Sequence, residues 1–285
     1  MNGDSMNKNY FYFTYKNVIF FIREVTFMAD TQNIPEEKEI VLAFFDILGS
    51  SKRLMDNEYQ KVYEFYQYMV KLCSETEVSL SSPGILPHER GKEILILHPM
   101  HHAFFSDTFI LWVEYDEFLQ TRMGGFYEKC STIFIEAIKK GIPLRGSIAR
   151  GTAIMDEENK LFLGKPLAEA AKAEPAQQWL GIGITKSCEN IYPTEARYMF
   201  PFKEHIKQGK ESLLSLAVLD WARYFRETEN YDPTKHIDQM NTDNKFSIYY
   251  ETTKKYIKSS KEHNDFMKPL EDTAPPVIPL IVLKK

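Results

Sequence analysis

Apolar residues in the first half of the chain recur with spacings typical of a strand, a helix and a β-hairpin. Residues 41–48 form a short apolar run, which predicts a buried strand. Residues 53–78 carry apolar residues at helical spacing and predict a helix. Residues 93–113 hold two runs of β-branched and aromatic residues, which predict two strands that meet at a turn near residues 106–107.

The second half of the chain continues with helical and strand patterns in mixed order. They predict a helix, a strand, a short strand entering a helix, another strand, an ambiguous segment and a final helix. The corresponding ranges are 117–140, 143–154, 161–174, 179–185, 212–222 and 243–262. The ambiguous segment fits either a strand or a helix. This order predicts an α+β fold with helices on a largely antiparallel sheet, and the ferredoxin-like arrangement is its simplest form.

Changes in polarity divide the chain into three predicted parts. Residues 1–35 are an N-terminal extension outside the fold, or a misassigned start before Met28; residues 36–228 form the main domain; residues 229–285 are a C-terminal helical extension with a proline-rich tail. Charges interrupt the aromatic N-terminal stretch well before the ~20 apolar residues that a membrane helix needs, so no stable span is predicted. A surface strand or an interfacial anchor is the alternative for this stretch.

Charge and cysteine content narrow the class of protein. The net charge is −5 and the sequence pI is about 5.9, which disfavours a general nucleic-acid-binding role because neutralising phosphates requires a basic surface. The three cysteines are widely separated and show no metal-ligand spacing, so a reducing, cytoplasmic location is predicted.

Two aspartates lie alone within apolar segments. Asp46 interrupts the first predicted strand, and Asp107 lies at the turn of the predicted hairpin. A buried lone carboxylate is unfavourable without a partner. In a ferredoxin-like sheet the first strand neighbours this hairpin, so the two carboxylates can meet, and a divalent cation would then offset their repulsion. The alternative is that both are solvated turn residues.

The turn after Asp46 has a composition suited to phosphate groups. Its sequence, LGSSKR, contains Gly49, Ser50 and Ser51, whose backbone amides can line an anion-binding concavity. Together with two aspartates, such a turn favours a site for a metal ion and a nucleotide phosphate.

Four segments resemble the catalytic domain of class III nucleotidyl cyclases in order and approximate spacing. They are AFFDILGSS, FFSDTFILW, PLRGSIARGTAI and FLGKPLAEAAKAE, within residues 41–185. More narrowly, the chain looks like the divergent bacterial branch that includes the pyrimidine cyclases of antiphage (Pycsar) defence. The resemblance implies a ferredoxin-like, cyclase-type mixed sheet with helices packed on it.

The same resemblance implies a metal site, a partner and a reaction. Asp46 and Asp107, with Ile47 beside the first, would form the metal site for two Mg²⁺ or Mn²⁺ ions. Gly49, Ser50 and Ser51 would belong to the nucleotide site. The family forms head-to-tail homodimers with active sites at the interface, and converts a nucleoside triphosphate to a 3′,5′-cyclic monophosphate.

The helix motif departs from the family pattern at two positions that act on phosphate. The family's asparagine falls on Ala168, and its transition-state arginine falls on Lys172, which keeps the charge but loses the bidentate fork. Arg145 and Arg150 are candidates for the lost contact; otherwise they are ordinary surface or paired arginines. Glu174, at the end of this helix, is interpreted as a solvating residue.

The base-recognition positions also depart from the pattern. The adenine-recognising lysine falls on Ala103, and its acid or threonine partner falls near Leu161. A purine would find neither polar contact, so either CTP or UTP is the substrate or the domain is a catalytically silent nucleotide- or protein-binding module. A third interpretation is another palm-type nucleotidyl transferase, although the chain lacks a Gly-Gly-Asp-Glu-Phe-type hairpin.

Overall fold

The structure is a computed structural model, and it describes most of the 285-residue chain. The described residues are 10–15, 18–23, 35–50, 59–74, 100–115, 123–189, 198–241 and 243–273. The chain divides into two units, residues 1–36 and residues 37–285. The first unit contains an antiparallel hairpin of β1 (Tyr10–Tyr15) and β2 (Val18–Arg23). Both strands consist mostly of aromatic and β-branched residues, which favour extended backbone.

The second unit is built on an eight-stranded mixed sheet with the strand order β4-β5-β3-β6-β8-β10-β9, and β7 pairs with β6. Its strands are β3 (Lys38–Ile47), β4 (His101–Phe105), β5 (Thr108–Glu114), β6 (Leu144–Asp156), β7 (Leu161–Gly164), β8 (Ile182–Thr185), β9 (Met199–Pro201) and β10 (Leu214–Leu219). Only β6 and β8 pair in parallel; the other described pairs are antiparallel.

Helices follow the strands in the order expected of a ferredoxin-like core. They are α1 (Tyr59–Ser74), α2 (Met123–Lys139), α3 (Lys165–Ala173), α4 (Trp221–Glu229), α5 (Thr234–Met240) and α6 (Ser247–Thr273). The path β3-α1-β4-β5-α2-β6 with the spatial order β4-β5-β3-β6 is a split β-α-β arrangement. The predicted α+β, ferredoxin-like fold is confirmed. None of the described helices combines the length and apolar character needed to cross a bilayer.

The ambiguous segment 212–222 contains both a strand and the beginning of a helix. Strand β10 ends at Leu219, and α4 begins at Trp221. Asp220 separates them and caps the helix, because its carboxylate accepts a hydrogen bond from the backbone N–H of Arg223 at 3.2 Å. Strand β9 and helix α5 were not predicted, and α6 continues past residue 262. The predicted loop 79–92 and residues 274–285 of the proline-rich tail lie outside the described residues.

Strand β3 lies between two hydrophobic layers because its side chains alternate between the faces of the sheet. Val41, Ala43 and Phe45 belong to the larger cluster, which includes apolar residues of α1 and α2. Ile40 and Leu42 belong to the smaller cluster on the opposite face, where α3 contributes Ala170. By this alternation Asp46 lies on the α3 face, one residue before β3 ends.

His205 is wholly buried in the segment between β9 and β10. Its ring packs against Trp179 with the centroids 5.6 Å apart, and its Nδ1 contacts the backbone oxygen of Phe202. Its Nε2 has no hydrogen-bond partner among the described residues. Burial lowers the pKa of His205 to about 4, because the imidazolium would lie in an apolar environment.

We expect the stability of the fold to decrease with acidification through the protonation of His205. The imidazole has a pKa of 6.5 in the unfolded chain and about 4 in the fold. Between these two pH values the unfolded state therefore binds a proton that the folded state does not. This difference should lower the free energy of unfolding by about 2 kcal/mol at pH 5 relative to pH 7. Urea denaturation of the wild type and of His205→Gln measures the effect. Parallel stability-versus-pH curves would contradict the assignment.

Candidate active site

The pairing of β3 brings the two predicted aspartates to one end of the sheet. Asp46 lies opposite Thr108 of β5 and opposite Arg145 of β6. Asp107 immediately precedes Thr108 in the turn between β4 and β5. Both carboxylates are partly exposed at this end, and the side chain of Asp46 is 21% exposed. The sheet register therefore creates a site with two carboxylates that come from distant parts of the chain.

The pKa of each of two groups at the site is shifted in the direction that two neighbouring carboxylates would cause. Burial raises the pKa of Asp46, Arg145 opposes the increase, and the charge of Asp107 adds to it. Tyr66 of α1 faces the same pair: burial raises its pKa, and the charges of Asp107 and Asp46 raise it further. The Tyr66 hydroxyl is buried without a hydrogen-bond partner among the described residues. Tyr66 lies within the helix predicted over residues 53–78.

Two hydrogen bonds tie the turn that follows β3 to other segments of the fold. The backbone N–H of Leu48 donates to the carbonyl of Pro143 at 2.8 Å, and the buried Ser50 hydroxyl donates to the carboxylate of Asp107. Gly49 has a φ of +74°, a conformation that favours glycine. A Cβ at Gly49 would lie 3.2 Å from the Phe246 ring, so a larger residue would be crowded there. Ser51 lies outside the described residues.

Arg145 joins Asp46 to a third carboxylate. Its guanidinium Nη2 donates to Oδ2 of Asp46 at 3.3 Å and forms an ion pair with Glu174. The guanidinium carbon also lies 5.4 Å from the centroid of the Tyr249 ring. Arg145 is 8% exposed, so most of its charge is compensated within the protein.

Glu174 is buried rather than solvated, which corrects the interpretation from sequence. Only 5% of it is exposed, and this burial raises its pKa to about 7, although Arg145 opposes the increase. Glu174 follows Ala170 by four residues, and Ala170 faces the sheet. The i, i+4 relation to the apolar side of α3 is the pattern that could have identified Glu174 from sequence.

The other two cationic candidates lie away from Asp46 in the same chain. Arg150 lies opposite Val41 in the register, five residues along β6 from Arg145. Its Nε donates to Glu39 at 2.7 Å, and its guanidinium stacks on Tyr115 at 3.8 Å. An odd spacing along a strand places Arg145 and Arg150 on opposite faces. Lys172 is exposed on α3.

The carboxylate pair suits a hard divalent cation that also binds phosphate. The side chain of Ile47 is fully buried and apolar, so only its backbone carbonyl could serve as a ligand. No group of three His, Cys, Asp or Glu residues with metal-binding geometry occurs in the described part of the chain. Mg²⁺ commonly uses only one or two protein carboxylates, with water and substrate phosphates completing its coordination. The donor set therefore fits Mg²⁺ or Mn²⁺.

The two positions assigned to base recognition differ: Ala103 packs against an apolar cluster, whereas Leu161 pairs with Asp156 at the edge of the sheet. Ala103 is partly buried and lies opposite Ile110, and Leu161 is 57% exposed at the start of β7. The Phe162 ring, next to Leu161, lies 5.5 Å from Trp112 and 5.5 Å from Phe105 between ring centroids. The aromatic surface of Trp112 and Phe162 therefore lies on the same face of the sheet as Ala103.

No protein-family model and no curated protein matches the sequence. Several solved structures align with part of the chain. A bacterial light-regulated adenylyl cyclase aligns with a TM-score of 0.43 and 13% identity, covering 74% of this chain and 58% of that one. The catalytic core of a rhodopsin-guanylyl cyclase with converted specificity, in complex with ATPαS, aligns with a TM-score of 0.41 and 14% identity. The alignment covers 65% of this chain and 98% of that one.

The guanylate cyclase domain of RhGC from Catenaria anguillulae, in complex with GTP, aligns with a TM-score of 0.38 and 14% identity, covering 59% of this chain and 89% of that one. The chain thus spans little more than half the length of the light-regulated adenylyl cyclase.

Proposed function

We propose that the protein is a metal-dependent nucleotidyl cyclase, which converts a nucleoside triphosphate to a 3′,5′-cyclic nucleotide and diphosphate. The observation that carries the proposal is the convergence of Asp46 and Asp107 at one end of the sheet, beside the turn that contains Gly49 and Ser50. The sequence motifs around these residues support the same reaction. On the resemblance alone, we extend the proposal to a cytoplasmic role in antiphage defence.

In this mechanism Asp46 and Asp107 would hold Mg²⁺ or Mn²⁺, with the Ile47 carbonyl as a further oxygen ligand. When bound, two such ions can activate the attacking hydroxyl and stabilise charge on the leaving oxygen. The left-handed backbone at Gly49 orients the turn whose amides would contact the phosphates. The hydrogen bond from Ser50 fixes the Asp107 carboxylate, and Arg145 places a positive charge near the phosphates.

A head-to-tail homodimer would explain the positions of Arg150 and Lys172. Arg150 lies on the face of the sheet opposite Asp46, and Lys172 is exposed. Neither side chain serves the Asp46 site of its own chain in this arrangement. In a two-fold dimer each could instead contact the phosphates bound by the partner, so that both subunits would complete each site.

A catalytically silent nucleotide-binding module is the second candidate. Arg145 already neutralises Asp46 in part, and Lys172 replaces the arginine that the family uses in the transition state. Such a module would bind a nucleoside triphosphate without turnover.

Asp46→Asn and Asp107→Asn should each reduce turnover by at least about a hundredfold, because each removes a metal-binding charge that stabilises the transition state. The fold should persist, since burial already disfavours the charged form of Asp46. The assay incubates purified protein with Mn²⁺ and each of the four triphosphates and identifies products by mass spectrometry. Asp238→Asn is the matched control, because Asp238 is 56% exposed and pairs with Lys254 on the surface. Near-normal cyclase activity in either site variant would refute the metal assignment; binding without turnover in the wild type would favour the silent module.

Mixing two inactive variants should restore activity if the site is shared between subunits. One variant is Asp46→Asn, and the other combines Arg150→Ala with Lys172→Ala. Random exchange gives half mixed dimers with one complete site each, so about a quarter of wild-type activity is expected. Light scattering on the same samples gives the oligomeric state. A strictly monomeric active protein would contradict the dimer.

CTP or UTP should be preferred over ATP and GTP. The metal–triphosphate unit is common to all four, so selectivity must come from the walls of the base site. A site that hydrogen-bonds a particular base rejects analogues strongly, whereas the side chains of Ala103 and Leu161 supply neither polar contact that the family uses for a purine. Competition among the four triphosphates at equal concentration measures the preference. A tenfold or greater preference for ATP or GTP would show that the base site is assigned wrongly.

A further inference from the structure

We propose that Glu174 is a positioning residue, which holds the Arg145 guanidinium so that Asp46 is free to bind a divalent cation. This inference rests on the proposed metal site at Asp46 and Asp107. It assigns a role to a buried carboxylate outside the pair of aspartates. The role follows from the unequal contacts of Arg145, from its burial and from the competition between its charge and a metal ion.

The two ion pairs of Arg145 differ in geometry and in burial. Its contact with Oδ2 of Asp46 measures 3.3 Å, just beyond the usual range of N–H···O hydrogen bonds, whereas its contact with Glu174 is closer. Neither its Nε nor Oε1 of Glu174 has a hydrogen-bond partner among the described residues, so the contact with Glu174 is an ion pair and the guanidinium binds neither carboxylate through its full fork. The Glu174 side chain is 7% exposed and the Asp46 side chain 21%, so a cation from solvent reaches Asp46 more readily, and Glu174 is the partner that Arg145 keeps.

Burial makes a second carboxylate necessary. The Arg145 side chain is 10% exposed, and a buried guanidinium without an anionic partner is strongly unfavourable. If a divalent cation takes the Asp46 carboxylate, Arg145 loses that partner. Glu174 has a pKa of about 7, so at about pH 8, where Mn²⁺ binding is to be measured, it is mostly ionised and remains to compensate the charge; the face of Tyr249 at 5.4 Å offers a further favourable contact.

Arg145 and the cation compete for the Asp46 carboxylate, and this competition predicts the direction in which each substitution changes Mn²⁺ affinity. Without the Glu174 charge, Arg145 would bind Asp46 as its sole carboxylate and oppose the cation. Without Arg145, the cation would meet no competing charge at Asp46. Removal of both should therefore restore cation binding, whereas a general structural role for Glu174 predicts a loss that persists when Arg145 is also replaced.

The test measures Mn²⁺ binding by electron paramagnetic resonance of the free ion, with manganese chloride as the only ligand. The samples are the wild type, Glu174→Gln, Arg145→Met, the double variant and Asp46→Asn. Glu136→Gln is the matched control, because Glu136 also forms an ion pair, with Lys139, but lies on α2. We expect Glu174→Gln to weaken binding at least about fivefold and Arg145→Met to strengthen it, with the double variant at or above wild-type affinity.

The outcomes separate this inference from the proposed function. Wild-type Mn²⁺ binding that Asp46→Asn does not weaken would overturn both. Binding that depends on Asp46 but is unchanged in Glu174→Gln, or is not restored in the double variant, would overturn the role of Glu174 alone. Thermal melts check that each variant is folded. If Glu174→Gln does not fold, Arg145→Met alone tests the competition between Arg145 and the cation for Asp46. Weaker Mn²⁺ binding in Arg145→Met than in the wild type would contradict that competition.

Discussion

The antiparallel pairing of β3 with β5 and β6 fixes the positions of Asp46, Asp107 and Arg145 relative to one another. It places Asp46 opposite Thr108 on one side and opposite Arg145 on the other. A shift of one residue in this register would move Asp46 to the other face of the sheet, into the layer filled by α1 and α2. Asp46 itself opposes that shift, because its carboxylate would then lie in an apolar layer without Arg145 as a partner.

A carboxylate can persist in such a strand because Asp46 lies where the two hydrophobic layers end. Arg145 compensates part of its charge, and Glu174 compensates Arg145 in turn. The result is a chain of charges that links β3, β6 and the end of α3. Buried ion pairs seldom add much net stability, because desolvation opposes the attraction. Their retention here is better explained by a requirement for charge at this end of the sheet, which is what binding a cation and a phosphate needs.

The sequence alone could predict those residues of the candidate site that are marked by a local pattern. Apolar runs of strand length predicted β3, β4 and β5, and lone carboxylates within them pointed to Asp46 and Asp107. Glu174 and Tyr66 were missed as site residues because their roles arise from contacts with residues distant in sequence. Strand β9 has only three residues, which is too short to show a period, and β10 sits directly before a helix without a glycine or proline between them.

The C-terminal helix links the core to the site, although its residues were predicted as an extension. Deep in the fold, the Tyr256 hydroxyl donates to the carboxylate of Asp220 at 2.9 Å, and its ring packs on Trp179. Near the start of α6, Tyr249 faces Arg145. Just before the helix, Phe246 packs against Gly49. Because this C-terminal segment is anchored in the core and contacts both the turn after β3 and Arg145, its packing helps to set the geometry around Asp46.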